Sequence, residues 1–280
     1  MALRPPGRPR GRRAWIPASL VAIAILPATN TSAAPDRVRD ASVGSVGGWP
    51  SVPLVRAAER DGPSLAAPDG EPVEEPVPEP PGELLVGIER AVPITVRPGG
   101  GRTVGTMPPA SRFYGEPLVA WIQRVSPDGR YGLVSVPYVA GDRQGWMGLR
   151  GLEDDETTIS VEADLSEHRI VVRRGDRVLL RAPAATGAPG SPTPTGHFFV
   201  TDRVAFPGGG ALGTYAFGIS GIQPNLPVGW TGGDQLAIHG TNVPTSIGRS
   251  ASAGCLRVSE RVLDRLRPLL DLGTPVVIHP

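Results

Sequence analysis

The amino-acid sequence predicts a mainly β protein, in which a small antiparallel barrel precedes a larger β domain with a short C-terminal helix. Short segments that alternate apolar and polar residues, a pattern typical of strands, recur from about residue 84 onward. Turn residues separate these segments, because the 280-residue chain contains 37 Gly and 33 Pro. Aromatic residues make up only 5% of the chain. This composition favours strands and turns over long helices.

Residues 1–34 have the organisation of a secretory signal peptide. An Arg-rich start without acidic residues precedes the apolar run WIPASLVAIAIL, and the small residues at 32–34 follow it. This run is shorter than the about 20 residues that span a membrane as a helix. We therefore expect export to the cell envelope, in the periplasm or the cell wall. If the segment is not cleaved, it would serve as a membrane tether.

Residues 35–83 show no sustained hydrophobic period, and their last part, PDGEPVEEPVPEPPGE, is rich in Pro and Glu. Such a sequence buries too little apolar surface to offset the entropy cost of ordering. It predicts a disordered linker that holds the following domains away from an anchor.

Residues 84–150 predict the small antiparallel barrel. Strand-like segments are separated by turn signals at 98–101 and at Pro127, Asp128 and Gly129. The strand order, the DGRYGLV hairpin and the closing GWM resemble bacterial Src-homology-3-like modules. The resemblance implies either a wall- or peptide-binding adaptor or a spacer, and the sequence does not distinguish between them.

Residues 157–280 predict the second domain, joined to the barrel near 151–156. Three strands with turns at 166–167 and 175–176 come first, and a further strand is expected at 197–202. The Gly-rich stretch 205–235 has no period and predicts a lid loop, with Tyr215 and Trp230 as lid residues that contact substrate.

A helix is expected after Ser259. This residue is a favourable N-cap, Glu260 lies in the first turn, and Gly273 would end the segment.

Charge and motif content exclude several functions. The formal net charge is +1, so no strong field recruits nucleic acid. The chain has no lysine, which excludes P-loop and Schiff-base chemistry. Gly208, Gly210 and Gly213 match G-x-G-x-x-G but lack the strand-to-helix context of a nucleotide site. We expect a monomer that needs no cofactor.

Cys255 is the only cysteine and lies in SASAGCLRV, downstream of His239 at the end of an apolar strand. An adjacent imidazole can hold a thiolate as an ion pair, which would make Cys255 a nucleophile. The backbone N–H groups of Gly254 and Cys255 would then face a developing oxyanion. A lone cysteine is also commonly a small buried hydrophobe, and this alternative stays open at this point.

The stretch HGTNVPTSIGRSASAGCLR resembles the signature of YkuD-type L,D-transpeptidases. The matching positions are His239, Gly240, Ser252, Gly254, Cys255 and Arg257. PTPTG at 192–196 and LGTPVVIH at 272–279 extend the resemblance over about residues 157–280. One position departs from the family, because Ala253 stands where a second histidine is usual.

The resemblance implies a β-sandwich-like catalytic domain and assigns roles to the residues of its active site. His239 is the base of Cys255, Gly240 orients His239 through its carbonyl group, and Ser252 and Arg257 hold the substrate. His168, His197 and His279 have no ligand spacing to one another or to Cys255, so no metal site is assigned.

The implied reaction is acyl transfer on peptidoglycan peptide stems. Cys255 would attack a tetrapeptide stem, release D-Ala and pass the acyl group to an amine of a neighbouring stem, giving a third-to-third cross-link. The resemblance also implies a target of carbapenems. Two alternatives remain: an inactive cell-wall-binding protein, and a thiol L,D-carboxypeptidase that only hydrolyses the stem. The sequence does not identify the natural acceptor or the effect of Ala253.

Overall fold

The structure is a computed structural model that describes residues 82–280. The predicted signal peptide and all but the last two residues of the predicted linker lie outside this range. The described part of the chain consists of 18 strands, one short 3-10 helix and one α-helix. The predicted mainly β fold with a short C-terminal helix is confirmed.

The N-terminal domain contains eight strands in two antiparallel sheets. They are β1 (Glu83–Gly87), β2 (Val92–Arg97), β3 (Gly100–Met107), β4 (Val119–Ile122), β5 (Arg124–Val125), β6 (Tyr131–Ser135), β7 (Gln144–Gly148) and β8 (Asp154–Thr157). The sheet orders are β4-β1-β8 and β3-β2-β7-β6-β5. Alternate residues face inward, and Ile94, Met107 and Met147 are fully buried between the sheets.

The segment expected to connect the two domains is part of the first one. Residues 151–156 were predicted as a connection, but β8 pairs antiparallel with β1, with Asp155 opposite Leu85. This pairing satisfies backbone groups along an edge of β1 that would otherwise be exposed. The Src-homology-3-like resemblance of the domain stays a prediction.

The C-terminal domain is built on one eight-stranded sheet. The strands of the domain, eight in this sheet and two in a separate pair, are β9 (Ile159–Asp164), β10 (Arg169–Arg174), β11 (Arg177–Pro183), β12 (Thr186–Gly187), β13 (Gly196–Ala205), β14 (Tyr215–Ile222), β15 (Gln235–His239), β16 (Ser250–Ser252), β17 (Leu256–Arg257) and β18 (Pro275–His279). The order in the large sheet is β11-β10-β9-β18-β13-β14-β15-β17, and β12 pairs with β16. The pairs β9–β18, β15–β17 and β12–β16 are parallel.

Helix α1 (Glu260–Leu266) covers one face of this sheet. The Ser259 side chain caps it by accepting a hydrogen bond from the Val262 N–H. Leu263 and Leu266 are fully buried in the core of the domain. The helix ends before Pro268 and not at Gly273, because proline has no N–H with which to continue the hydrogen-bond ladder.

The predicted lid over 205–235 is wrong in its central part. Residues 215–222 form β14, a buried strand between β13 and β15. At the glycines of this strand, neighbouring side chains occupy the space that a side chain would need. A β-carbon at Gly221, for example, would lie 2.6 Å from the Phe198 ring. The glycine content that predicted a loop therefore reflects close packing within a sheet. Only the flanking segments 206–214 and 223–234 are loops.

The two domains share buried contacts. Phe199, from β13, is fully buried among the core residues of the N-terminal domain. The Tyr138 N–H of the N-terminal domain donates to the Ser220 carbonyl of β14 at 2.7 Å. Residues 82–280 belong to one compact unit. Within these residues, no helix has the length and apolar character needed to cross a membrane.

We predict that Phe199→Ala destabilises both domains together. Truncating a fully buried phenylalanine lowers the free energy of unfolding by about 3–5 kcal/mol. The Phe199 ring comes from a strand of the C-terminal domain but packs in the core of the N-terminal domain. Urea unfolding followed by fluorescence should show one transition, shifted to lower urea, while Val125→Ala at an exposed position should shift it little. Two transitions, of which only one moves, would contradict the shared core.

Candidate active site

A cleft opens where β15 ends and β17 begins, at the edge of the large sheet. The two loops that flank β14 line it from the C-terminal domain, and Phe113 and Tyr114 line it from the N-terminal domain. Four of the predicted site residues face this cleft: Trp230, His239, Cys255 and Arg257.

The parallel pairing of β15 with β17 places His239 and Cys255 on adjacent segments. Ile238 lies opposite Leu256, and His239 lies opposite Arg257. Cys255 therefore immediately precedes the strand that runs beside the end of β15. This register brings an imidazole and a thiol, far apart in sequence, to the same cleft.

The His239 ring is held by backbone. Its side chain is only 3% exposed, and its Nδ1 lies 2.6 Å from the carbonyl oxygen of Gly240. Because a carbonyl can only accept, Nδ1 carries the proton in this contact, and Nε2 of a neutral ring keeps its lone pair. Gly240 thus occupies the orienting position that the sequence assigns to it.

Electrostatics favour a neutral imidazole. Burial lowers the pKa of His239 to about 4, since a charged ring would lose its hydration. The nearby Arg257 guanidinium contributes to this low pKa, and the carbonyl groups of Gly240 and Leu212 oppose it only in part. His239 is therefore an unprotonated base at neutral pH.

The Cys255 thiol is held in its neutral form as well. Burial raises the pKa of Cys255, and the Ala237 backbone N–H and the Arg257 charge oppose this effect only in part. The Cys255 Sγ lies 3.9 Å from the Gln235 carbonyl oxygen, which accepts a weak S–H hydrogen bond. Desolvation therefore opposes the thiolate–imidazolium pair that the sequence suggests, and this pair stays a prediction.

Ser252 organises the turn before Cys255. Its Oγ donates to the Cys255 carbonyl at 2.6 Å and accepts from the Gly254 N–H at 3.0 Å. Both hydrogen-bonding functions of the hydroxyl are used within the turn, and Ser252 is buried outside the cleft lining. The expected contact between Ser252 and substrate is therefore corrected to a role in holding the turn.

Only part of the predicted oxyanion site fits the structure. The Gly254 N–H already donates to the Ser252 hydroxyl, so it is not free to bind an oxyanion. The Cys255 N–H has no hydrogen-bond partner among residues 82–280. Cys255 is thus the backbone donor that this turn offers to the cleft, while Gly254 provides the backbone angle φ of +118°.

Arg257 and Ala253 line the cleft on either side of Cys255. The Nε of Arg257 is buried without a hydrogen-bond partner within the described part of the chain. An unpaired buried donor of this kind favours an acceptor on a ligand. Ala253 places a methyl group where the resemblance implies an imidazole.

The two predicted lid residues lie in different environments, one at the cleft rim and one in the core. Trp230 is 44% exposed at the cleft rim, and its Nε1–H donates to the Gly233 carbonyl at 2.7 Å. Tyr215 is buried on the opposite face of β14, where it contacts the Phe217 ring and lies under the Arg267 guanidinium. The assignment of Tyr215 to substrate binding is wrong because strand alternation turns it toward the core.

Gln223 is a site residue that the sequence does not reveal. Its buried Nε2 donates to the Pro192 carbonyl at 2.9 Å and lies against the turn before Cys255. A β-carbon at Gly254 would be 2.2 Å from this nitrogen. Nothing local marks this glutamine, because its partners come from two other segments of the chain.

The remaining histidines lie outside the cleft. His168 contacts Ser250, while His197 and His279 contact Asp142 and Glu162. Within residues 82–280, no three His, Cys, Asp or Glu side chains are placed to hold a metal ion.

Fold and site together define a β domain with a neutral Cys–His pair in an open cleft. The family model of the YkuD L,D-transpeptidase catalytic domain matches residues 158–278. The chain is 30% identical to the YkuD protein of Bacillus subtilis over 132 residues, which are 47% of this chain and 73% of that protein. It is 32% identical to YkuD of Bacillus licheniformis over 133 residues, with coverages of 48% and 72%.

The chain therefore belongs to the YkuD family of L,D-transpeptidase catalytic domains. Among solved structures, it is similar to an L,D-transpeptidase of Enterococcus faecium, with 22% identity and a TM-score of 0.35. The match covers 44% of this chain and half of that one.

We predict that His239 titrates far below an ordinary histidine. The imidazole C–H resonances, followed by NMR from pH 8 to pH 3, should shift near pH 4 and not near 6.5. The ring would be neutral above this value and charged only below it. A midpoint above pH 6 would contradict the desolvation argument.

We also predict that the Ser252 hydroxyl stabilises the turn. Ser252→Ala leaves the buried Gly254 N–H without its acceptor, which costs about 1–3 kcal/mol. Thr245→Ala, which removes an exposed hydroxyl from the preceding 3-10 helix, is the control and should change stability by less than about 0.5 kcal/mol. Urea denaturation measures both variants, and equal losses would contradict the role assigned to Ser252.

Proposed function

We propose that this protein is a peptidoglycan L,D-transpeptidase that uses Cys255 as nucleophile and His239 as base. The observation that carries the proposal is the register of β15 and β17, which puts both side chains in one cleft. Membership of the YkuD family supports the reaction class. The substrates are the peptide stems of peptidoglycan.

In the first step, Cys255 Sγ attacks the carbonyl carbon between the third residue of a tetrapeptide stem and its terminal D-Ala. His239 Nε2 takes the thiol proton as the carbon–sulfur bond forms, so that charge appears only as the reaction proceeds. The developing oxyanion accepts a hydrogen bond from the Cys255 N–H. Transfer of the proton to the leaving nitrogen breaks the amide bond and releases D-Ala, leaving a thioester.

In the second step, the side-chain amine of the third residue on a neighbouring stem attacks the thioester. His239 removes a proton from this amine, and the thiol is regenerated when the carbon–sulfur bond breaks. The product is a third-to-third cross-link. Arg257 binds a carboxylate or carbonyl oxygen of the stem through its unpaired N–H.

The neutral Cys–His pair sets the timing of proton transfer. A preformed thiolate would need a lowered cysteine pKa, whereas burial raises that of Cys255. We therefore expect proton transfer to His239 to accompany attack on the carbonyl group. This requirement favours substrates that place a carbonyl carbon next to the sulfur over small reagents that only collide with it.

Peptidoglycan lies outside the cytoplasmic membrane, so the proposed function requires export. The Arg-rich and apolar pattern of residues 1–34 supports this localisation. We propose that the protein acts in the cell envelope as a monomer.

We predict that the stem and a carbapenem acylate the same atom. Each should add its acyl mass once to the intact protein, and Cys255→Ser should abolish the adduct because an alcohol is far less acidic than a thiol. His239→Ala should slow acylation at least about 100-fold, the usual loss for a positioned base. His279→Ala, remote from the cleft, is the matched control.

Intact-mass spectrometry against time gives both rates. Labelling of His239→Ala at the rate of the parent would mean that the thiol is merely exposed, and the wall-binding alternative would then be favoured. Product analysis with purified tetrapeptide stems separates the remaining alternatives. Cross-linked dimers support the transpeptidase, whereas tripeptide alone supports the L,D-carboxypeptidase.

A further inference from the structure

A loop of the N-terminal domain forms one wall of the cleft. Residues 108–118 connect β3 to β4, and Phe113 and Tyr114 from this loop line the same cleft as Cys255. Phe113 is 45% exposed and Tyr114 is 54% exposed. The cleft is therefore built by both domains.

Polar contacts fix this loop against the C-terminal domain. Arg112 forms two 3.2 Å hydrogen bonds to the Asp234 carboxylate. Its guanidinium also lies 4.9 Å from the centre of the Phe113 ring. The Ser111 hydroxyl donates to the buried Asp202 carboxylate. The aromatic residues are thus presented by an anchored segment.

The exposed apolar surface of the protein is concentrated at this rim. Phe113, Tyr114, Leu212 and Trp230 are four of the eight large hydrophobic side chains that are exposed within residues 82–280. All four line the cleft. Exposed aromatic residues clustered at the mouth of a site indicate a binding surface.

The charge distribution indicates which part of a substrate this rim fits. The charged side chains that line the cleft are Asp234, which is paired with Arg112, and Arg257, which lies beside Cys255. The aromatic rim therefore carries no net charge, because Arg112 beside Phe113 is paired with Asp234. A peptidoglycan stem carries carboxylates and an amine, whereas the sugar rings to which it is attached are uncharged and present flat C–H faces.

The size of the cavity leads to the same conclusion. Its volume is about 170 Å³, smaller than the roughly 300–1,000 Å³ of pockets that bury a drug-sized ligand. A glycan-linked stem is larger than this volume, so part of such a substrate would extend over the rim.

We propose that Phe113, Tyr114 and Trp230 bind the sugar of a stem that is still attached to its glycan. The inference rests on the proposed function in taking a peptidoglycan stem as the ligand. It assigns the N-terminal domain a role in substrate recognition within the catalytic cleft.

The test compares two ligands that differ only in the sugar. Binding of a disaccharide-tetrapeptide and of the free tetrapeptide is measured by calorimetry on the full chain with Cys255→Ala, which cannot be acylated. The additional double change Phe113→Ala and Tyr114→Ala should weaken binding of the disaccharide-tetrapeptide about tenfold, a loss of about 1.4 kcal/mol. Binding of the free tetrapeptide should change less than about twofold.

Two further variants guard against misfolding and nonspecific effects. Phe113→Leu keeps an apolar side chain against Gly233 but removes the flat ring face, and it should weaken only the sugar-bearing ligand. Val96→Ala with Val125→Ala changes two exposed apolar residues of the same domain outside the cleft and should alter neither affinity. Thermal unfolding confirms that each variant is folded.

Each outcome has a distinct meaning. Equal losses for both ligands would show that the rings bind the peptide, and unchanged affinities would show that they bind neither part; both results overturn the sugar assignment. If the parent binds both ligands with the same affinity, this inference fails and the proposed function stands. If the parent binds neither ligand, the proposed substrate itself is wrong.

Discussion

The pairing of β17 with β15 is the constraint on which the candidate site depends. Strand β17 has only two residues, yet its backbone is held on both sides. Arg257 exchanges two hydrogen bonds with Ala185, and the Val258 N–H donates to the His239 carbonyl at 2.9 Å. Cys255 lies two residues before Arg257, so these main-chain hydrogen bonds and the Ser252 hydroxyl together fix its position relative to His239. The fold can therefore place a reactive pair although no side chain of the pair holds the other.

Burial of this pair sets its chemistry. Desolvation lowers the pKa of His239 and raises that of Cys255, so it favours the neutral form of each residue in the free protein. Because thiolates and not thiols react with oxidants, a neutral Cys255 is protected until a substrate arrives. This protection is consistent with a single cysteine in a chain proposed to be exported to an oxidising compartment. We expect the cost to be that attack and proton transfer occur together.

The sequence predicts the features of this protein that are local. Alternation and turn residues predict strands β9, β10 and β11, and Ser259 predicts the start of α1, because neighbouring residues determine these structures. The Cys255 and His239 positions were found because a motif joins them. Tyr215 was misassigned since glycines in β14 have the composition of a loop, although distant side chains determine their packing. No sequence pattern indicates Gln223 or Phe113 as cleft residues, because each lies in a segment outside the motif that contains His239 and Cys255.

The buried Asp202 explains why the two domains cannot be treated as independent modules. This fully buried carboxylate accepts hydrogen bonds from Ser111 of the N-terminal domain and from Gln235 of β15. The Gln235 carbonyl in turn accepts a weak hydrogen bond from the Cys255 S–H group. Without the N-terminal domain, the carboxylate would lose one donor and Phe199 would face water, both of which are costly. The N-terminal domain thus contributes to the packing around the nucleophile, whichever of the two predicted roles, adaptor or spacer, it also has.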